Sequence, residues 1–139
     1  MWQHGWITRR QIDEVLAQAR ARLRRLTPHE AAAAMHDGSI LVDTRDGEQR
    51  SRDGSIPGSV HVPLSVLEWR VDPSSGHQSA ELAGHEDDLI LICHEGYSSS
   101  LAAARLHELG FTKTTDVIGG FVAWAAAGLP VERSGAGPR

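Results

Sequence analysis

Leu89-Ile90-Leu91-Ile92-Cys93-His94-Glu95-Gly96-Tyr97-Ser98-Ser99 joins an apolar run to a short polar loop, and a helix-patterned stretch from Ser99 to Leu109 follows. Four consecutive aliphatic residues bounded by polar ones read as a strand buried on both faces, the signature of a parallel sheet. The strand therefore delivers one thiol to the mouth of a helix. The first turn of a helix has amides without internal partners, and its dipole favours negative charge. A tight loop curled over that end aims further N–H groups at one point and forms an anion nest. A thiolate, or a cysteine carrying an extra sulfur, is the anion such a nest would hold. The competing interpretation of a lone cysteine at a strand end is inert packing, because free cysteine is among the most buried residue types. Gly96, Ser98 and Ser99 favour the nest.

Working outward, short apolar strands alternate with helices. Residues 7–26 carry Ile12, Val15, Leu16, Ala19, Leu23 and Leu26 on one stripe, the spacing of an amphipathic helix. Thr27-Pro28-His29-Glu30 reads as a capping box with proline in the first turn, opening a helix to about His36. Strands are predicted at Ile40–Asp43, Val60–Val62 and Thr114–Ile118, and short helices at 64–71 and 121–127. The charged stretch 45–52 between the first two strands reads as a loop. This order predicts an α/β fold with a mainly parallel sheet covered on both faces. Cys93 then lies at the carboxyl end of a central strand, where open α/β sheets bind ligands.

The chain has 139 residues, enough for one domain with a sizeable core. A single cysteine excludes an internal disulfide and any Cys-x-x-Cys chemistry. No apolar run reaches the length of a membrane span. Met1-Trp2-Gln3-His4-Gly5-Trp6 lacks the pattern of a secretory signal, so a cytoplasmic location is expected. The net charge of −4 is unevenly placed. Residues 9–25 hold six arginines against Asp13 and Glu14, and the remainder is acidic. A basic helix can mark a nucleic-acid or membrane partner. Here the acidic remainder would repel polyanions, so no nucleic acid and no membrane are expected. The helix is expected to dock on its own acidic domain or on a partner subunit, in a homodimer for example, with Trp2 and Trp6 as candidate contacts. The eight histidines are scattered and only His94 adjoins the cysteine, so no metal site and no cofactor are expected.

Four segments together resemble the rhodanese family of sulfurtransferases. Leu41-Val42-Asp43-Thr44-Arg45 resembles the strand ending in Asp-x-Arg, and Gly54-Ser55-Ile56-Pro57-Gly58-Ser59 followed by Pro63 resembles the Gly-His-Ile-Pro-Gly-Ala segment. Cys93 to Ser99 resembles the active-site loop. Gly119-Gly120-Phe121-Val122-Ala123-Trp124, closing with Gly128-Leu129-Pro130-Val131, resembles the C-terminal signature. The resemblance runs over residues 27–133 and implies one domain there with a central five-stranded sheet; the basic stretch 1–26 is then an N-terminal extension, and the tail 134–139 reads from its residues as disordered. It further implies that Cys93 takes a sulfane sulfur from a small anionic donor such as thiosulfate, as a persulfide, and passes it to cyanide or a thiol. Backbone amides of His94, Glu95, Gly96, Tyr97, Ser98 and Ser99 would hold the sulfur, with Asp43 and Arg45 supporting the loop. The alternative is a sulfur carrier or regulatory module, served by a protein donor or acceptor, that turns thiosulfate over poorly.

The departures are specific. Ser55 stands where the family has His. The loop positions that often carry Arg or Lys hold His94, Glu95, Tyr97 and Ser98. His94, when protonated, would place a cation beside the thiolate. Glu95, if it faced the pocket, would repel a dianionic donor by about 4 kcal/mol per charge at 4 Å and an effective dielectric near 20; in that case Glu95→Gln would lower the KM for thiosulfate. Arg70 is a candidate for the missing cation. Protein phosphatases sharing this fold leave five residues between the Cys and an essential Arg. Ser99 occupies that position, so the guanidinium fork for a phosphoryl dianion is missing.

Overall fold

The computed structural model describes residues 9–133. Helix α1 (Ile12–Ala21) and helix α2 (Pro28–His36) precede strand β1 (Ile40–Asp43), helix α3 (Gly47–Asp53) and strand β2 (Val60–His61). Helix α4 (Leu67–Val71), strand β3 (Leu89–Ile92), helix α5 (Ser98–Glu108), strand β4 (Thr115–Asp116) and helix α6 (Gly120–Ala126) complete the chain. The four strands form one parallel sheet in the order β2-β1-β3-β4.

β3 is buried on both faces, as its composition requires. Its side chains alternate between two cores, as strand geometry dictates. Leu89 and Leu91 join Val42, Val62, Leu67, Val71 and Leu106 on one side. Ile90 and Ile92 join Leu41, Val117, Phe121 and Trp124 on the other. Each such aliphatic side chain contributes roughly 1.5–3 kcal/mol on full burial. Because both faces need covering, α5 and α4 lie on the first and α2 and α6 on the second. α1 packs outside α5 through Leu16 and Ala19.

The start of α2 follows its sequence. The Thr27 hydroxyl accepts from the Glu30 amide at 3.1 Å, and the Thr27 amide donates to the Glu30 carboxylate at 2.8 Å. Three expectations need correction. First, the amphipathic helix is shorter than 7–26, because the chain leaves α1 after Arg22. Leu23 and Leu26 still reach the core, but from non-helical chain. Second, the sheet has four strands rather than five among the described residues. Leu26 takes the fifth position as a single parallel bridge to Val117, donating to the Asp116 carbonyl at 3.0 Å and accepting from the Ile118 amide at 2.8 Å. Third, the supposed loop 45–52 contains α3. No residue of α3 is buried, so it carries no apolar stripe to read. It forms because Asp46 caps it, accepting from the Gln49 amide at 2.7 Å. The expected tail at 134–139 and the contacts expected of Trp2 and Trp6 lie outside the described residues.

Candidate active site

Register places the chemistry. Asp43 at the end of β1 pairs with Ile92 at the end of β3, so Thr44, Arg45 and Cys93 leave the sheet side by side at its carboxyl edge. A cavity of about 300 Å³ opens there, lined by Cys93, Thr44, Arg45, Gln49, His94 and Ser98 among others.

Cys93 is 5% exposed. Its sulfur accepts from the Gly96 amide at 3.1 Å and the Ser99 amide at 3.3 Å, and it lies 3.2 Å from the Ser99 hydroxyl. The amides of His94, Glu95, Tyr97 and Ser98 make no hydrogen bond to another described residue. The loop thus offers the sulfur two donors at the mouth of α5, and four further amides of the loop have no partner among the described residues.

Two glycines make the curl feasible. Gly96 has φ +86°, and a Cβ on it would come within 2.8 Å of the Gly119 nitrogen. Gly120 has φ +61°, and a Cβ on it would come within 2.6 Å of both the Cys93 carbonyl oxygen and the Gly96 nitrogen. The Gly119-Gly120 turn therefore lies hard against the loop. The start of α6 secures it further: the Phe121 amide donates to the Cys93 carbonyl at 2.8 Å and the Val122 amide to the His94 carbonyl at 3.0 Å.

Asp43 and Arg45 are both buried and form a forked ion pair, with N···O distances of 3.0 and 2.8 Å. Arg50 donates to the same carboxylate at 3.1 Å. Arg45 also donates to the Gly54 carbonyl at 2.8 Å and stacks on the Phe121 ring at 3.9 Å. The pair thereby ties the end of β1 to the segment entering β2 and to α6, the helix on which the loop rests. One Arg45 nitrogen, Nη1, is buried without a hydrogen-bond partner among the described residues.

The remaining site residues divide. Ser98 lines the cavity, whereas Ser99 is fully buried behind the sulfur. His94 lines the cavity with Nδ1 4.0 Å from an Asp53 carboxylate oxygen. Tyr97 is 65% exposed. Glu95 is exposed and is not among the residues lining the cavity. Glu95→Gln is accordingly expected to leave the KM for thiosulfate within about twofold of the native value, since solvent screening makes exposed charges worth little. Steady-state kinetics at fixed ionic strength checks this; a large fall in KM would place the carboxylate against the donor. Arg70 is not brought to Cys93. It is exposed, donates to the His77 carbonyl at 3.1 Å, and borders a separate hollow with Val66 and Trp69.

The cations that do approach the loop come from behind it. Arg20 and Arg25 both donate to the Gly96 carbonyl, at 2.8 and 3.2 Å. Arg25 also forks onto the buried Asp116 at 2.8 and 3.2 Å. The basic charge of residues 9–25 and the acidity of the rest signalled docking of this kind. They did not single out these two arginines or Asp116.

Comparison with known proteins gives a consistent set of likenesses. A model of the rhodanese-like domain matches residues 27–127. Thiosulfate sulfurtransferase GlpE of Pseudomonas savastanoi pv. phaseolicola is 34% identical over 106 residues, covering 74% of this chain and 88% of that protein. The protein of the same name from Haemophilus influenzae PittEE is 33% identical over 110 residues, covering 78% of this chain and 94% of that protein. Among solved structures, a Rhodopseudomonas palustris protein of unknown function, described as a possible tyrosine phosphatase, superposes with a TM-score of 0.79 at 32% identity. That likeness covers 95% of this chain and 99% of the other.

Proposed function

Since the chain belongs to the rhodanese-like domain family, we propose that it is a sulfurtransferase whose Cys93 carries sulfane sulfur as a persulfide. The observation that carries this reading is the seating of the Cys93 sulfur. Two amides hold it at the mouth of α5, it faces a cavity, and no second thiol exists to compete.

With thiosulfate as donor, the Cys93 thiolate attacks the outer, sulfane sulfur. The new S–S bond forms as the donor's S–S bond breaks, and sulfite leaves with that electron pair. The terminal sulfur of the persulfide carries the negative charge into the loop, where the unpaired amides of the nest stabilise it. Cyanide then attacks the terminal sulfur, thiocyanate departs, and the electron pair of the cleaved bond returns to Cys93 as thiolate. A thiol acceptor reacts in the same way and leaves as a persulfide. Two half-reactions through one covalent intermediate predict ping-pong kinetics.

Phosphoryl chemistry fits the site poorly. Ser99 occupies the position of the phosphatase arginine, and its hydroxyl is turned to Asp116 at 2.7 Å, away from the cavity.

A second reading has one observation in its favour. Arg45, the one Lys or Arg among the described residues that line the cavity, already pairs with Asp43, so little free positive charge awaits a dianion. Under that reading the chain is a carrier loaded by a protein persulfide. Thiocyanate production from thiosulfate and cyanide separates the two. Parallel lines in double-reciprocal plots support the enzyme. Loading from a persulfide donor with no turnover of thiosulfate supports the carrier.

A further inference from the structure

Arg20 and Arg25 lie outside the segment that matches the family model, residues 27–127, yet both reach the loop that holds the sulfur. We propose that they are positioning residues for sulfur transfer, and that the N-terminal segment completes the active site from behind. The inference rests on the reading of Cys93 as the sulfur carrier.

Gly96 is the pivot of the loop. Its amide donates to the Cys93 sulfur, and its carbonyl accepts from both guanidinium groups. Glycine is permissive, so its own conformational preference does little to hold this arrangement. The hold comes from outside. The Gly119-Gly120 backbone presses on one side, and the guanidiniums grip the carbonyl on the other. In a trans peptide the N–H points opposite to the preceding C=O, and none of the described peptide bonds is cis. Fixing the Gly96 carbonyl toward the arginines therefore turns the Tyr97 amide the other way. That amide is one of the unpaired donors of the nest.

The same two side chains reach the sulfur along a second route. Arg25 pairs with Asp116, whose carboxylate accepts from Ser99 at 2.7 Å and Ser100 at 2.8 Å. Arg20 donates to the Ser100 hydroxyl at 3.1 Å. The Ser99 hydroxyl, its hydrogen committed to Asp116, accepts from the Cys93 thiol at 3.2 Å, while the Ser99 amide donates to the sulfur at 3.3 Å. Arg25 and Asp116 thus fix Ser99, whose amide remains a donor to the sulfur when it is a thiolate.

Mere anchoring of α1 would need none of this. Leu16 and Ala19 already bury the apolar face of α1 against α5. The exposed Glu108 on α5 lies within reach of α1's end, where it pairs with Arg22. Arg20 and Arg25 instead converge on one loop carbonyl and a fully buried carboxylate.

The test uses the full chain. Arg20→Ala is the primary variant, because Arg20 pairs with no acid among the described residues and its loss strands no buried charge. Arg25→Lys is the second, since it keeps a cation opposite Asp116 but loses the fork. Arg20→Lys is the conservative rescue. Arg24→Ala is the control, an exposed arginine of the same segment with no hydrogen bond or ion pair to another described residue.

In Arg20→Ala, kcat for thiosulfate and cyanide should fall about tenfold, the size expected of one charged hydrogen bond, with KM nearly unchanged. Arg25→Lys should fall similarly, Arg20→Lys should recover most of the loss, and Arg24→Ala should match the native protein. Equal kcat in all four, or a loss confined to KM, overturns the proposal. The alkylation rate of the single cysteine by iodoacetamide is measured in parallel. If the native protein fails to turn over, the sulfurtransferase reading falls. The alkylation rates still decide the positioning claim: a change in Arg20→Ala but not in Arg24→Ala supports it, and no difference between them overturns it.

Discussion

Cys93→Ser protein will produce thiocyanate no faster than the uncatalysed mixture, while unfolding within about 1 kcal/mol of the native protein. The separation of these effects follows from the site. A serine hydroxyl fits the same space and still accepts from the Gly96 and Ser99 amides, so the loop keeps its internal support. The chemistry does not survive, because an alkoxide is not available at neutral pH and forms no persulfide. With no other cysteine in the chain, no second thiol can substitute. Thiocyanate formation and urea unfolding of the same preparation provide the check. Persistent activity in a pure sample would remove Cys93 from the mechanism.

Gly120→Ala will be the most damaging substitution that leaves every chemical group of the site in place. The added Cβ would meet the Cys93 carbonyl oxygen and the Gly96 nitrogen at 2.6 Å and the His94 carbonyl carbon at 2.8 Å. All three are backbone atoms, so no side chain can swing aside. A left-handed alanine costs roughly 1–2 kcal/mol by itself, and forced repacking typically adds 1–3 kcal/mol. The expected loss of stability is therefore about 2–5 kcal/mol. The Gly96 nitrogen is also one of the two amide donors to the sulfur, so relief of the clash must move the nest. A displacement of about 1 Å at a reacting centre costs on the order of 100-fold in rate. Activity measured well below the midpoint of unfolding should show that loss even where the fold is intact. A folded variant with native turnover would mean that the loop geometry does not govern the chemistry.

The legible parts of this protein are those where local rules and tertiary structure agree. β3 could be read because full burial demands an unbroken aliphatic run. α2 could be read because Thr27, Pro28 and Glu30 spell out its start. Cys93 and its loop could be read because a strand end, Gly96 and paired serines restrict what the backbone can do. The resemblance singles out Asp43 and Arg45, and they form a buried forked ion pair at the end of β1. α3 stayed hidden because a fully solvated helix has no hydrophobic period and declares itself only by its Asp46 cap. The fifth strand of the family sheet was overcounted because Leu26 provides only one bridge. Arg70, the candidate for the cation missing from the loop, is held elsewhere by the turn at 73–75 and its bond to the His77 carbonyl. The converse failure was Asp116, which sits in an unremarkable stretch beside two threonines. Its importance comes from Arg25, 91 residues away in sequence, and no local pattern encodes a contact at that range.

The central claim is that Cys93 becomes a persulfide, and intact mass spectrometry reads that species directly. Native protein is incubated with thiosulfate, freed of small molecules, and weighed before and after addition of cyanide. The expected result is a gain of one sulfur atom on the native chain, its removal by cyanide, and no gain on Cys93→Ser. An unchanged native mass with thiosulfate and with a persulfide donor alike, or an equal gain on the serine variant, would contradict it.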